Sequence, residues 1–260
     1  MSKVAYLDTD FINKTIKAKN NSSTFFDEII KLPYKFIMVS KVLDEIKNPN
    51  ILKIIYKYHQ EEKISIVDNF EIVKGLKHFF DDITIKHIIL DEIRKISIEI
   101  SKSDTFYKNY FSQLENLCMN ETKLKMFIIQ LNKIVRNIPS GNNMGEIMTI
   151  LNISIANRIG DADIFALLSH DSSARQYILN MPNNVKSYDC YSVFYLLKDI
   201  ISEENAINLG KAWSRAHVKN CNVTINKEGH LKGIDIKDFI KAIYSKNQYH
   251  VQQNGLVVFK

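Results

Sequence analysis

The sequence lacks long apolar runs, has few cysteines and shows no internal repeat. No apolar stretch reaches the roughly 18 residues that span a bilayer, so we expect no transmembrane helix. The N-terminal segment MSKVAYLD carries one lysine and an acid at position 8, unlike a secretory signal. The three cysteines, Cys118, Cys190 and Cys221, are far apart without CxxC spacing, which favours buried thiols over disulfides or a zinc site. These absences predict a cytoplasmic protein that does not contact a membrane.

The net charge of +6 is concentrated near the C-terminus. Residues 206–260 contain nine Lys/Arg and three Asp/Glu, and subtracting these from 35 Lys/Arg and 29 Asp/Glu leaves 26 of each in residues 1–205. Positive charge of this kind favours binding to a nucleic acid. A lysine-rich, solvated surface is the alternative interpretation of the same excess.

Short apolar runs alternate with segments of helical period, which predicts an α/β fold with a parallel sheet. Strands are predicted at residues 3–7, 35–39, 64–67, 163–169 and 185–188. Helices are predicted at residues 23–32 (capped by Ser22 or Ser23), 51–60, 146–158, 172–180 and 190–201, and one more is predicted after an N-cap at Ser40.

The pattern divides the chain into an α/β domain, residues 1–205, and a small basic α+β extension, residues 206–260. A helical period prevails from about residue 71 to residue 135, with separate helices predicted at 106–118 and 124–135. It predicts a helical insertion in the α/β domain at about residues 76–140. The extension contains predicted strands at 222–225 and 255–259 and a helix at 236–244.

Four acidic residues lie where predicted strands end or helices begin. Asp8 closes the run VAYLD, Glu45 lies one turn after the second strand, Glu146 opens an apolar helix after the loop at 137–145, and Asp171 follows the strand at 163–169. The carboxyl ends of parallel strands share one edge of a sheet, so these acids are expected to meet there. Their repulsion is removed by a divalent cation. The sequence therefore predicts a Mg²⁺ or Mn²⁺ site that acts on phosphates.

Each acid also has a purely local interpretation. Asp8 is suited to a strand-end cap and Asp171 to the N-cap of the helix that follows it. Glu45 is suited to a surface ion pair with a nearby lysine, and Glu146 to a favourable interaction with a helix dipole. Two further acids, Asp161 and Asp163, compete for the third and fourth ligand positions.

The segments VAYLDTDFI, VSKVLDEI, GE at a helix start and LLSHDSSAR occur in an order that resembles PIN-domain nucleases. The resemblance covers residues 1 to about 80 and 140 to about 200, and it implies a three-layer α/β/α fold. The acids Asp8, Glu45, Glu146 and Asp171 would then be catalytic. The metal ligands would be Asp8, Glu146 and Asp171, with Asp10 beside them and Thr9 orienting Asp8.

The chain departs from the PIN pattern in three places. The helical insertion is longer than a compact member needs, His170 precedes Asp171 where a second acid is expected, and the last 55 residues have no counterpart. The long insertion and the C-terminal residues leave the substrate open, and His170 leaves the identity of the fourth metal ligand open.

The resemblance implies a metal-dependent endoribonuclease that leaves a 5′-phosphate and a 3′-hydroxyl, such as a toxin or phage-defence effector with an antitoxin or other protein as partner. Candidate substrate-binding residues are Arg175, Lys211, Arg215 and Lys219. Trp213 is interpreted as a core residue in preference to an RNA-stacking one. Two alternatives remain: a non-catalytic PIN-like module that binds RNA or protein, and a structure-specific DNA nuclease, which the lack of a helix-hairpin-helix motif disfavours.

Overall fold

The structure is a computed structural model, and it describes most of the chain. The described residues are 3–20, 23–119, 122–160, 163–181, 184–217, 220–224, 231–245, 249–251 and 257–259. Lys219, Asp161 and residue 225 of a predicted strand lie outside these ranges.

Eleven short strands are present in the described ranges. They are β1 (Val4–Leu7), β2 (Lys19–Asn20), β3 (Ser23–Thr24), β4 (Lys35–Val39), β5 (Ile64–Val67), β6 (Ile164–Leu168), β7 (Lys186–Tyr188), β8 (Asn220–Thr224), β9 (Leu231–Asp235), β10 (Tyr249–Val251) and β11 (Val257–Phe259).

Helices occupy most of the remaining described chain. They are α1 (Thr9–Lys17), α2 (Phe25–Ile29), α3 (Ser40–Glu45), α4 (Pro49–Gln60), α5 (Asn69–Leu76), α6 (Asp82–Ser101), α7 (Thr105–Tyr110), α8 (Glu115–Met119), α9 (Leu124–Asn137), α10 (Met144–Ile159), α11 (Ser172–Asn180), α12 (Phe194–Leu197), α13 (Glu203–Ala216) and α14 (Ile236–Tyr244). A 3₁₀ turn at Ser112–Leu114 joins α7 to α8.

The central sheet has the strand order β5-β4-β1-β6-β7, and all four pairings are parallel. All four residues of β1 are buried although successive residues point to opposite faces, so both faces of the sheet are covered. The α/β class is confirmed, and the arrangement is compatible with three α/β/α layers. The five predicted sheet strands are present to within one residue at each end.

Two predicted helices are shorter than expected. The helix predicted at residues 23–32 is wrong in its first turn, because residues 23 and 24 pair with β2 in a small hairpin. Helix α2 then begins after Thr24, which forms a capping box with Asp27, so Ser23 is not its cap, and Ser22 lies outside the described residues. The helix predicted at 190–201 is reduced to α12. In front of it, the Asp189 carboxylate accepts hydrogen bonds from the backbone of Tyr191 and Ser192, which holds a turn instead.

The insertion is helical, as predicted, but more broken. The single helix predicted at residues 106–118 is divided into α7, the 3₁₀ turn and α8. One anchor for this region is the buried Lys86 of α6, whose ammonium donates to the carbonyl oxygens of Leu117 (3.2 Å) and Thr122 (3.0 Å). Leu117 is in the last turn of α8, and Thr122 lies between α8 and α9. Carbonyl oxygens at such places receive no hydrogen bond from within a helix, and the Lys86 ammonium supplies the missing donor.

The extension is not separated from the core. The predicted boundary between residues 205 and 206 falls inside α13, and Leu209 and Trp213 belong to the same buried cluster as the sheet residues. Side chains of α14, including Phe239, join this cluster. No helix in the described ranges has both the length and the apolar character needed to cross a membrane.

Candidate active site

The four predicted acids gather at the carboxyl edge of the sheet, beside its central strand. The chain passes from β1 to β4 and β5 on one side and later to β6 and β7 on the other, so β1 lies at the point where the strand order reverses. Open α/β sheets bind ligands in the crevice at this point. Asp8 follows β1 directly, Glu45 ends the helix after β4, and Asp171 follows β6.

Asp8 is the most buried of the four, with 1% of its surface exposed. Its Oδ1 accepts a hydrogen bond from the backbone N of Thr9 at 2.7 Å, and its Oδ2 accepts one from Ser169 Oγ at 2.9 Å. Burial, together with the nearby carboxylates of Asp10 and Glu45, raises the pKa of Asp8 to about 7 against the effect of these two bonds. The group is thus fixed in place but costly to ionise.

Glu45 is held by bonds from two distant segments. Its Oε2 accepts from the Thr9 hydroxyl at 3.0 Å, and its Oε1 accepts from the backbone N of Gly145 at 3.1 Å. Burial raises the pKa of Glu45, while Thr9, the nearby Lys41 ammonium and Gly145 lower it. The predicted role of Thr9 is therefore corrected: its backbone orients Asp8, and its hydroxyl orients Glu45.

Gly145 permits this contact because it has no side chain. A Cβ placed there would lie 2.6 Å from Oε2 and 3.2 Å from Cδ of Glu45. A separate bond, from the Lys41 ammonium to the carbonyl oxygen of Ile138 at 2.8 Å, ties α3 to the loop before α10. Helix α3 therefore contacts the first turn of α10 through Glu45 and the loop before α10 through Lys41.

Glu146 lies in the first turn of α10, where the helix dipole favours a carboxylate. Burial, together with the carboxylates of Asp8, Glu45 and Asp171, nevertheless raises the pKa of Glu146 to about 8. The carboxylate of Glu146 is therefore close enough to the other three acids to be repelled by each of them. No hydrogen bond from another described residue fixes its carboxylate.

Asp171 caps α11, as its local interpretation predicts. Its Oδ1 accepts from the backbone N of Ala174 at 2.7 Å, and its own N donates to Ser169 Oγ at 3.1 Å. Ser169 therefore connects Asp8 with Asp171.

Arg175, a predicted substrate-binding residue, forms two contacts within the protein. Its Nε donates to the Asp171 carbonyl oxygen at 3.3 Å, and its guanidinium lies 3.6 Å from the Asp189 carboxylate.

The predicted metal ligands are only partly assembled. Asp10 is turned to the Lys14 ammonium at 2.7 Å. Within the described residues, no three carboxylate, histidine or cysteine side chains are placed so that they can share an ion in this arrangement.

The chemistry of the cluster suits a hard divalent cation. Its side chains present carboxylate and hydroxyl oxygens, the ligand type that Mg²⁺ and Mn²⁺ prefer. Among the described residues, none of the four acids forms a salt bridge with lysine or arginine. Acids that are close together and partly removed from water are costly to ionise without a salt-bridge partner. Raised pKa values such as those of Asp8, Glu45 and Glu146 are concentrated at functional sites.

The rival acid Asp163 lies at the other edge of the sheet. It precedes β6, and its carbonyl accepts from Val4 N at the amino end of β1. The five residues of β6 separate it from the carboxyl edge by about 17 Å. The His170 ring packs against the rings of Tyr191 and Trp213, which also contact each other, and burial lowers the pKa of His170.

The predicted basic residues are not gathered at the acids. Lys211 and Arg215 are exposed, one turn apart on α13, on the side of the helix opposite Trp213. Trp213 is 1% exposed, which confirms its interpretation as a core residue. The end of α13 contacts α1, the helix that follows Asp8, because His217 Nε2 lies 2.9 Å from the Lys14 carbonyl oxygen.

Sequence reasoning missed three contributors to the site: Ser169, Lys41 and Gly145. Ser169 was visible as the residue two before Asp171, directly after a strand. Lys41 and Gly145 act through contacts across about 100 residues, for which the sequence carries no local signal.

Comparison with known proteins adds no relative. No protein-family model, no curated protein and no solved structure matches this chain.

Proposed function

We propose that this protein is a metal-dependent endoribonuclease of the PIN type, acting as a toxin or phage-defence effector. The observation that supports this is a group of four acids, one buried and three half-buried, at the point of the parallel sheet where the strand order reverses. None of the four forms a salt bridge with lysine or arginine among the described residues. A PIN-like, three-layer arrangement agrees with the parallel sheet. An antitoxin or other inhibitory protein is the partner that such an effector needs.

Asp8, Glu146 and Asp171 would hold Mg²⁺ or Mn²⁺, with Asp10 beside them. The bound metal would activate water and stabilise charge on the leaving oxygen of the phosphodiester. Ser169 and the Thr9 backbone orient Asp8, while the Thr9 hydroxyl and Gly145 N orient Glu45. Each orienting bond fixes an acid before substrate arrives, and this pre-organisation favours hydrolysis.

The test uses labelled single-stranded RNA and DNA with the intact chain in Mg²⁺, Mn²⁺ or EDTA. We expect cleavage of RNA that EDTA abolishes. Asp8→Asn and Asp171→Asn should lose cleavage and Mn²⁺ binding by calorimetry, while the far-edge control Asp163→Asn keeps both. Unchanged Mn²⁺ affinity in both site variants would overturn the metal site. Loss of activity in Asp163→Asn but not in Glu146→Gln would overturn the role of Glu146.

A second candidate is a non-catalytic PIN-like module that binds RNA or protein. The observation that favours it is that no three described side chains are arranged to share an ion. It predicts RNA retention without cleavage in every metal. Cleavage of branched or nicked DNA, with RNA left intact, would instead identify a structure-specific DNA nuclease.

A further inference from the structure

A cavity of about 320 Å³ opens at the same carboxyl edge of the sheet, on the β5 side of the acids. We call this cavity the Lys41 pocket, and its polar and aromatic lining includes Lys41, Arg136, Asp44, Asp68, Glu71, Asn69, Asn132 and Phe70. Two of its three carboxylates are already engaged, because Asp68 caps α5 and Glu71 lies 2.6 Å from the Lys74 ammonium. The volume lies at the lower end of the range for small-molecule sites, about 300 Å³ and upward. It suits one nucleotide but not a duplex.

The pocket is next to the acidic cluster along a single helix. Lys41 and Glu45 are four residues apart on α3 and therefore lie on one face, about 6 Å apart along the axis. A strand that passes over the acids along the sheet edge would reach the pocket within a nucleotide or two.

One of the lining residues, Lys41, is a buried lysine whose ammonium has unused donors. Lys41 is 4% exposed, and its Nζ donates to Ile138 O. An ammonium has three N–H donors, and this bond uses one. Among the described residues, Lys41 forms no salt bridge. A buried cation in this position favours a ligand with acceptor atoms.

An amide pair forms one wall. Asn69 is 8% exposed, and its Nδ2 donates to Asn132 Oδ1 at 2.6 Å. This bond leaves an acceptor on Asn69 and a donor on Asn132, the pair of groups that reads base edges. Phe70 supplies an aromatic ring at the same wall, and unpaired bases stack on such rings.

Two free charges of opposite sign stand at the rim. Asp44 and Arg136 are exposed, and neither has a hydrogen-bonding or ionic partner in the described part of the chain. Guanine matches this set best, because its adjacent N1–H and N2–H groups suit a carboxylate while O6 and N7 accept from lysine or arginine. Adenine lacks the adjacent donors, and the pyrimidines lack the paired O6 and N7 acceptors.

We propose that the Lys41 pocket binds one unpaired guanine nucleotide of a single-stranded substrate. The identity of the strand as a cleaved RNA rests on the proposed function, but binding of the nucleotide does not. Asp44 accepts from the Watson–Crick edge, Lys41 and Arg136 donate to O6 and N7, and Phe70 covers the base.

The experiment measures binding of 5′-GMP, AMP, CMP and UMP to the full chain by calorimetry in EDTA. We expect GMP to bind at least about tenfold more tightly than the others. Guanosine should compete with GMP, whereas inorganic phosphate should not. Asp44→Asn and Arg136→Gln should each weaken GMP binding about tenfold. The matched controls Asp91→Asn and Lys133→Gln, also exposed on helices, should leave it unchanged.

Equal affinity for the four nucleotides, competition by phosphate alone, or unchanged GMP affinity in both pocket variants would overturn the proposal. Cleavage sites mapped on RNA give the second readout. Cleavage at a fixed distance from unpaired guanines would support guanine binding by the pocket. Cleavage at sites unrelated to guanine would overturn guanine binding without counting against the proposed nuclease function. GMP binding without any cleavage supports the pocket and counts against the nuclease.

Discussion

Ser169 joins two of the acids through one hydroxyl. It donates to Asp8 and accepts from the backbone of Asp171, and it is fully buried. Removing the hydroxyl leaves a carboxylate oxygen and a backbone N–H without their bonds, which costs about 1–3 kcal/mol when such groups are buried.

Ser169→Ala should therefore lower the free energy of unfolding by about 1–3 kcal/mol in urea titrations. It should also lower RNA cleavage by about 10- to 100-fold, as loss of a ligand-orienting bond does. The control is Ser187→Ala on the neighbouring strand β7, because Ser187 is also buried and its hydroxyl has no partner in the described residues. Equal effects of the two variants would show that Ser169 does not orient Asp8.

Glu146 makes the stability of the metal-free protein depend on pH. Its pKa is raised from 4.5 to about 8, so the folded state holds more protons than the unfolded state between these values. The free energy of unfolding must therefore fall as pH rises through that window. Bound Mg²⁺ or Mn²⁺ should reverse the trend by compensating the ionised acids.

In EDTA, the free energy of unfolding should fall from about pH 5 to pH 8, and Glu146→Gln should flatten the fall by on the order of 2 kcal/mol. Chemical denaturation at several pH values measures this. An exposed control, Glu61→Gln, should keep the wild-type slope. A stability that rises over the same window would contradict the raised pKa.

At the level of elements, α3 and α10 form the junction on which the site depends. Gly145→Ala would push a methyl group against the Glu45 carboxylate, because the added Cβ would lie only 2.6 Å from Oε2. Since a displacement of about 1 Å can cost 10²-fold in rate, cleavage should fall by about that factor. The control Gly75→Ala, also in a helix, meets only the flexible end of Ile159. Steady-state cleavage rates compare the two variants, and circular dichroism checks that both are folded. Equal rates would show that activity does not depend on the contact between α3 and α10.

The strands show why some elements were predictable. Each sheet strand is a short apolar run covered on both faces, a pattern that burial imposes on the sequence. The helix predicted at residues 23–32 was wrong because its first residues pair across a hairpin with β2, a contact that helical periodicity does not reveal.

At the scale of the whole molecule, the net positive charge is concentrated in residues 206–260. Lys211 and Arg215 are exposed on α13, and Lys219 lies outside the described residues. If these side chains contact phosphates, affinity for RNA should fall steeply with salt.

Neutralising Lys211, Arg215 and Lys219 to glutamine should weaken RNA binding and flatten its salt dependence, with Mn²⁺ binding unchanged. Filter binding between low and physiological salt gives the slope, which should fall by about one per lost phosphate contact. The control neutralises Lys123, Lys125 and Lys133 on the insertion. If RNA affinity depends on salt equally in the two triple variants, the positive charge of residues 206–260 belongs to a solvated surface that does not contact RNA.

The sequence by itself determined the parallel α/β class and the positions of Asp8 and Asp171, because burial and strand ends leave local patterns. It also placed Glu146 in the first turn of its helix. Only the tertiary structure decided that Asp163 lies at the far edge and that Glu45 is held by Gly145, one hundred residues away. Contacts across such distances depend on how the elements pack, and packing is a property of the whole chain that no local pattern records.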